Sequence, residues 1–173
     1  MLFLQDGSAR ATSSQRRTEP VVQTAAAELS AEISPDGRWL AYQSAESGRL
    51  DVYVQPYPNV DGGRWRVSTG GATRPAWARN GREMFYLDAD NKLTAVAVDT
   101  RGSSFSFGKP AKLFDTRLFV GAGGTGIGRS YDVSADGKRF LVIKEDSSAN
   151  AKPPGIVVVE HWSEELKARV PAK

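Results

Sequence analysis

The sequence predicts an all-β fold built from repeated four-stranded antiparallel units, and three observations carry that prediction. First, one turn signature recurs three times, as Ser34-Pro35-Asp36-Gly37-Arg38, Ala78-Arg79-Asn80-Gly81-Arg82 and Ser134-Ala135-Asp136-Gly137-Lys138. Each copy lies between a short alternating segment and an apolar run, the pattern of a β-hairpin with Asp-Gly or Asn-Gly at its turn. Second, successive turn glycines stand 44 and then 56 residues apart, and a period of about 40 to 45 residues is that of a four-stranded propeller blade. The longer interval holds an insertion, visible at Gly121 to Gly128. Third, alignment on the turns gives consistent columns. Ile33, Trp77 and Val133 precede the turns, with Ala31, Pro75 and Tyr131 two residues further back, as the period of two in a strand requires.

The elements follow in order. Leu2 to Gln5 and Pro20 to Thr24 read as two strands, the outer half of a preceding blade occupying residues 1–27. The blade at 28–70 contains the first hairpin, a third strand at Asp51 to Gln55 and an outer strand at Arg64 to Ser68. The blade at 71–116 repeats this with the second hairpin, Leu93 to Asp99 and Ala111 to Phe114. A final blade at 129–161 has the third hairpin and Ile156 to Glu160. After each turn come three apolar columns, Leu40/Met84/Phe140, Ala41/Phe85/Leu141 and Tyr42/Tyr86/Val142, which predict strands covered on both faces. Trp77 reads as core, whereas Trp39 and Trp65 are read either as half-exposed contacts for peptide or sugar or, the more common use, as blade packing. Residues 162–170, beginning Trp162-Ser163-Glu164-Glu165, have a capping serine with acids early and bases late, and predict one short terminal helix. About three blades do not close a ring of the usual 4 to 8. The chain is therefore read as part of a longer propeller, as self-associating to close the ring, or as capped at its ends.

Bulk properties narrow the function classes. The 173 residues are 40% hydrophobic and 25% charged, with 23 basic residues against 20 acidic ones. The basic residues are scattered and do not interleave with aromatics, so no nucleic-acid groove is predicted. No apolar run is long enough to span a bilayer, and Met1-Leu2-Phe3-Leu4 is cut off by Gln5 and Asp6 before it could act as a signal segment. The sequence thus predicts no membrane insertion by this chain. There is no cysteine and one histidine, His161, so neither disulfides nor an ordinary zinc site is predicted.

The motifs with possible chemistry fail on context. Gly121-Ala122-Gly123-Gly124-Thr125-Gly126 matches the spacing of a dinucleotide loop, yet the segment after it is β-patterned where a helix N-terminus is needed, and Ile127 stands where a phosphate-loop lysine would be. Asp88-Ala89-Asp90-Asn91 lacks the glycine and distal glutamate of a calcium loop and reads as a β-turn. No metal, no cofactor and no catalytic residues are predicted. Asp36 and Asp136 are read as caps of backbone amides within their turns.

Ser34-Pro35-Asp36-Gly37-Arg38 with Leu40-Ala41-Tyr42, and Gly70-Gly71-Ala72-Thr73-Arg74-Pro75-Ala76-Trp77, resemble the TolB-type, WD-repeat-like β-propeller. Val52-Tyr53-Val54-Gln55-Pro56-Tyr57-Pro58, Phe85-Tyr86-Leu87, Tyr131-Asp132-Val133-Ser134 and Trp162 with Glu165-Leu166-Lys167 resemble the C-terminal part of propellers fused to bacterial serine/threonine protein kinases. The second turn departs from the pattern with Ala78-Arg79-Asn80, and the third with Ala135 in place of proline. The resemblance implies a binding or interaction module, with protein or peptide as partner. It also leaves open an extracytoplasmic sensory domain of a membrane kinase that binds a small ligand or glycan, and the propeller part of a prolyl oligopeptidase-like hydrolase. Outside a membrane fusion, the missing signal segment predicts a cytoplasmic chain. No kinase loop (His-Arg-Asp or Asp-Phe-Gly) and no Gly-x-Ser-x-Gly elbow occurs, so any such activity would belong to a fused or partner domain.

In a propeller, the loops from outer to next inner strand and from second to third strand share one face at the channel mouth. Those are Gly70 to Arg74, Ala45 to Leu50, Asp88 to Asn91 and Val120 to Arg129. Thr73, Arg74, Asp90 and Arg129 are the candidate ligand-binding residues. The two arginines would give the mouth a positive lining suited to a carboxylate.

Overall fold

The computed structural model describes residues 2–5, 18–115 and 128–143. These residues form antiparallel β-sheets, with one 3-10 turn at Val60–Gly62 as the only helical segment among them. The expected strand at 156–160 and helix at 162–170 lie outside the described residues.

Among the described residues, strands β1 (Leu2–Gln5) and β2 (Thr18–Val22) pair only with each other. The first full sheet runs in order from β3 (Glu28–Ile33) through β4 (Trp39–Ser44) and β5 (Asp51–Pro56) to β6 (Trp65–Arg66). The second consists of β7 (Ala72–Trp77), β8 (Glu83–Asp88) and β9 (Lys92–Asp99), and its outer position is shared by β10 (Ser106–Phe107) and β11 (Ala111–Asp115). Both pair with β9, β10 at Asp99 and Val98 and β11 from Ala95 to Lys92. Pro110, which has no N–H, stands in the gap between them, so one outer strand is broken into two. The two-residue β10 is too short to show a period, which is why the sequence pattern reveals only β11. A last hairpin pairs β12 (Tyr131–Val133) with β13 (Phe140–Val142).

The three hairpin turns are built alike. Gly37, Gly81 and Gly137 adopt φ of 73°, 67° and 71°, a left-handed region that glycine enters without steric cost. In each, the glycine N–H donates to the carbonyl of the residue three before it, Ser34, Ala78 or Ser134. The side chains of Asp36, Asn80 and Asp136 accept from the amides of Arg38, Arg82 and Lys138 at 3.2, 2.9 and 3.1 Å. In the second turn asparagine performs the capping with no proline present.

The sheets stack face to face, and strand alternation assigns each side chain to a junction. Leu40 and Tyr42 of β4 pack with Val22 beneath β1 and β2, while Trp39 and Ala41 point the other way, into a cluster with Met84, Tyr86 and Trp77. Phe85 and Leu87 of β8 then pack on Tyr131 and Val133, with Phe140 and Val142 at the edge of that cluster. An aromatic group seals the junction between the first and second full sheets. Phe105 sits 5.4 Å from Trp39, 5.8 Å from Trp65 and 6.3 Å from Trp77 between ring centroids, inside the range where edge and tilted contacts are favourable. Trp39 is buried by packing between blades, because the loop after β9 folds Phe105 over it; Trp65 is partly buried. The third apolar set departs from expectation. Leu141 is 76% exposed and Ile143 58%, since no described sheet lies against their side of β13.

Candidate binding face

The loops at one end of the stacked sheets are tied down by a buried carboxylate. Asp51 opens β5, and its side chain is 0% exposed. Its Oδ2 accepts from Ser47 Oγ at 2.7 Å and from Arg66 Nη2 at 2.6 Å. Its Oδ1 accepts from Ser68 Oγ at 2.8 Å and from the Gly71 amide at 3.0 Å. One side chain therefore joins the 45–50 turn, the outer strand and the passage to the next sheet. Burial alone would raise the Asp51 carboxyl, but the hydrogen bonds from Ser47, Ser68, Arg66 and Gly71 outweigh it and hold the group below the usual carboxylate range.

Gly71 has φ of 99°, and a Cβ there would stand 3.2 Å from the Cβ of Ala89. The passage thus presses against the β8–β9 turn, which brings the 45–50, 70–72 and 88–91 loops side by side. Within that last turn, Asp88 Oδ1 accepts from the amides of Asp90 and Lys92, both at 2.9 Å. Lys112 Nζ lies 3.0 Å from Asp88 Oδ2 and 3.3 Å from Asp90 Oδ2. Asp90 is exposed and belongs to this acidic pair with its lysine.

The inner strands meet around Tyr131. Arg74 occupies an irregularity in β7, between Thr73, which pairs with Leu87, and Ala76, which pairs with Phe85. It has φ of 56°, matched by Ser30 at 51° in the corresponding irregularity of β3. The Arg74 amide donates to Gln43 Oε1 at 2.8 Å, and its carbonyl accepts from the Tyr131 hydroxyl at 2.6 Å. Arg74 is only 7% exposed, and burial lowers its guanidinium from the ordinary value. Arg129 lies with its guanidinium carbon 5.6 Å from the Tyr131 ring centroid. Its Nε donates to the Tyr131 carbonyl at 2.9 Å, and its Nη1 forms a salt bridge and hydrogen bond with Glu32 Oε2. Asp132 Oδ1 stands 3.4 Å from Arg129 Nη2.

Of the four candidate residues, the structure gathers Arg74 and Arg129 around Tyr131, with Thr73 beside Arg74 on β7. It places Asp90 apart, on the β8–β9 turn. Sequence reasoning missed Glu32, which pairs with Arg129, Gln43, which accepts from the Arg74 amide, and Asp51, which ties the neighbouring loops together. Their pattern gives no signal, because each acts on a residue at least 15 positions away in the chain. Burial pushes the Glu32 carboxyl above its ordinary value even with Arg129 opposite, and the nearby Asp132 adds to that rise. Among the described residues no group of three or more His, Cys, Asp or Glu side chains could hold a metal ion, and no helix is long and apolar enough to cross a membrane.

No protein-family model matches the chain, and no curated protein matches it. Solved structures do. A protein assigned as TolB from Agrobacterium tumefaciens aligns at 14% identity over 58% of this chain and 39% of its own, with a TM-score of 0.41. TolB from Acinetobacter baumannii aligns at 17% identity over 80% of this chain and 43% of its own, with a TM-score of 0.39. The chain spans about two fifths of the length of these two structures.

Proposed function

We propose that this chain is a non-catalytic β-propeller module that binds a protein or peptide on the face formed by the 45–50, 70–74 and 88–91 loops, with Thr73, Asp90 and Arg129 as its contact residues, while the buried Arg74 anchors Tyr131 through its carbonyl. The observation that carries the reading is the Asp51 network. Four hydrogen bonds from Ser47, Arg66, Ser68 and Gly71 converge on one buried carboxylate and fix the 45–50 turn, the outer strand and the 70–72 passage together. Loops immobilised on a rigid sheet scaffold lose little entropy when a partner docks, which favours recognition. The mixed charge of Arg49, Asp90, Lys112 and Arg129 suits a polar peptide better than an apolar one. A peptide-library selection against the 173-residue chain tests this. Selected peptides should lose affinity for Asp90→Lys and retain it for Asp61→Lys, which alters the 3-10 turn at the opposite end of the sheets. A screen that yields only glycans or small metabolites would replace the peptide reading with the sensory one.

A further inference from the structure

The three hairpin turns share a backbone and differ in charge. In the first, Asp36 Oδ2 holds Arg38 Nε at 3.0 Å. In the third, Asp136 accepts from the Lys138 amide and lies in the field of Arg139. The second carries Arg79 and Arg82 with no carboxylate, because Asn80 stands at the aspartate position. Capping uses only Oδ1 of that side chain, which accepts from the Arg82 amide at 2.9 Å. The remaining atom is a second anionic oxygen in Asp36 and Asp136, but in Asn80 it is an Nδ2 group with two N–H donors. Among the described residues the guanidiniums of Arg79 and Arg82 meet no acceptor. Glu83, the next residue, is turned to the third hairpin, where its Oε2 stands 3.8 Å from the place a Cβ on Gly137 would take.

A cavity of about 450 Å³ opens beside this turn, at the end of the sheets away from the 45–50 and 88–91 loops. Asn80, Arg82, Asp99, Thr100 and Arg101 line it, with Val98 as the one apolar side chain. The groups there that would repel an anion are already engaged. Arg101 meets the Asp99 carboxylate through Nε at 3.0 Å and Nη2 at 2.8 Å, which leaves its Nη1 without an acceptor among the described residues. Arg38 crosses from the first sheet and donates to the carbonyls of Thr100 and Gly102. The Thr100 hydroxyl donates to the Gly81 carbonyl at 3.4 Å.

We propose that this cavity binds a small phosphate-bearing molecule, with the phosphate held by the Arg82 guanidinium, Asn80 Nδ2 and Arg101 Nη1. Guanidinium donors match phosphate oxygens in pairs, and the charge on Arg82 has no competing carboxylate in its own turn. The volume falls within the roughly 300 to 1,000 Å³ of small-molecule sites and exceeds what a lone anion fills. With Val98 as its one apolar contact, the rest of the ligand is polar, as a sugar is. The site shares no residue with the peptide face proposed above, so either can fail without the other.

The probes are inorganic phosphate and ribose phosphate, added to the full 173-residue chain at constant ionic strength so that general screening does not change. Binding is read by NMR from backbone amides and arginine Nε–H groups. Both probes should give saturable shifts centred on Gly81, Arg82 and Arg101, with ribose phosphate the tighter. Asn80→Asp keeps the Oδ1 cap and restores the carboxylate of the other two turns. It should weaken both probes by about tenfold or more with the melting temperature unchanged. Arg82→Gln should abolish saturation. Shifts that stay linear with concentration, or spread equally to Arg38, Lys138 and Arg139, would reduce the effect to surface screening and overturn the proposal. Undiminished binding by Asn80→Asp would overturn it as well, and equal affinity for the two probes would overturn the small-molecule assignment. Sedimentation with phosphatidylglycerol vesicles without any response to free phosphate would give these arginines to a membrane surface instead.

Discussion

Arg129, just before the third hairpin, forms a salt bridge with Glu32 on the inner strand of the first sheet, passing beside Pro75 of the second. Three successive sheets are thereby linked at their inner edge. The side chains are 29% and 31% exposed, so the pair is partly shielded from solvent. A double-mutant cycle with Arg129→Ala and Glu32→Gln should give a coupling of about 1 kcal/mol in urea unfolding, falling with added salt. A coupling near zero at low salt would show that the pair does not tie the sheets.

Asp51→Asn should be the most damaging polar change. It keeps the shape of the side chain but removes the charge that Arg66 faces and turns one acceptor into a donor opposite Ser47 or Ser68. The expected loss is about 3 kcal/mol, in the range for breaking one partner of a buried pair. The wild-type pH profile carries the same information. Because the folded carboxyl is held below its ordinary value of 3.8, its contribution is fully present above that pH and disappears as pH falls below it. The stability difference between wild type and Asp51→Asn, measured by denaturant melts, should shrink on acidification through that region.

Gly71→Ala combines two penalties. The backbone φ of 99° disfavours any L side chain, and the new Cβ would press on Ala89 at 3.2 Å. Destabilisation of about 2 kcal/mol is expected. Adding Ala89→Gly should recover only the part due to contact. Gly37→Ala, with φ of 73° and nothing within 4 Å, isolates the backbone part and should cost about 1 kcal/mol.

Phe105→Ala should cost about 3 to 5 kcal/mol, as for other buried aromatics. It should also raise the solvent exposure of Trp39, read as a red shift in tryptophan emission. Phe105→Leu, which refills much of the volume, should restore most of the stability. If the alanine variant unfolds as wild type does, the aromatic group is not what joins the first and second sheets.

The hairpins and the third strands were legible because their signals are local. Asp36-Gly37 and Asn80-Gly81 encode turns within a few residues, and the unbroken apolar runs of β4 and β8 are visible within six. Of the candidate face, the loops were readable from their order in the repeat. The partners of its arginines were not. Glu32 looks like an ordinary outward residue between Ala31 and Ile33, and only the approach of the third hairpin gives it Arg129.

By itself the sequence determined the strand order, the turn chemistry and the period of the repeat, since backbone conformation responds to residues close along the chain. Tertiary structure alone decided which apolar columns are covered. Phe85 and Leu141 occupy the same column, yet one is buried and the other 76% exposed. Burial is a property of what lies across the junction, and for Phe85 that neighbour, the Tyr131 and Val133 strand, comes from more than 40 residues away.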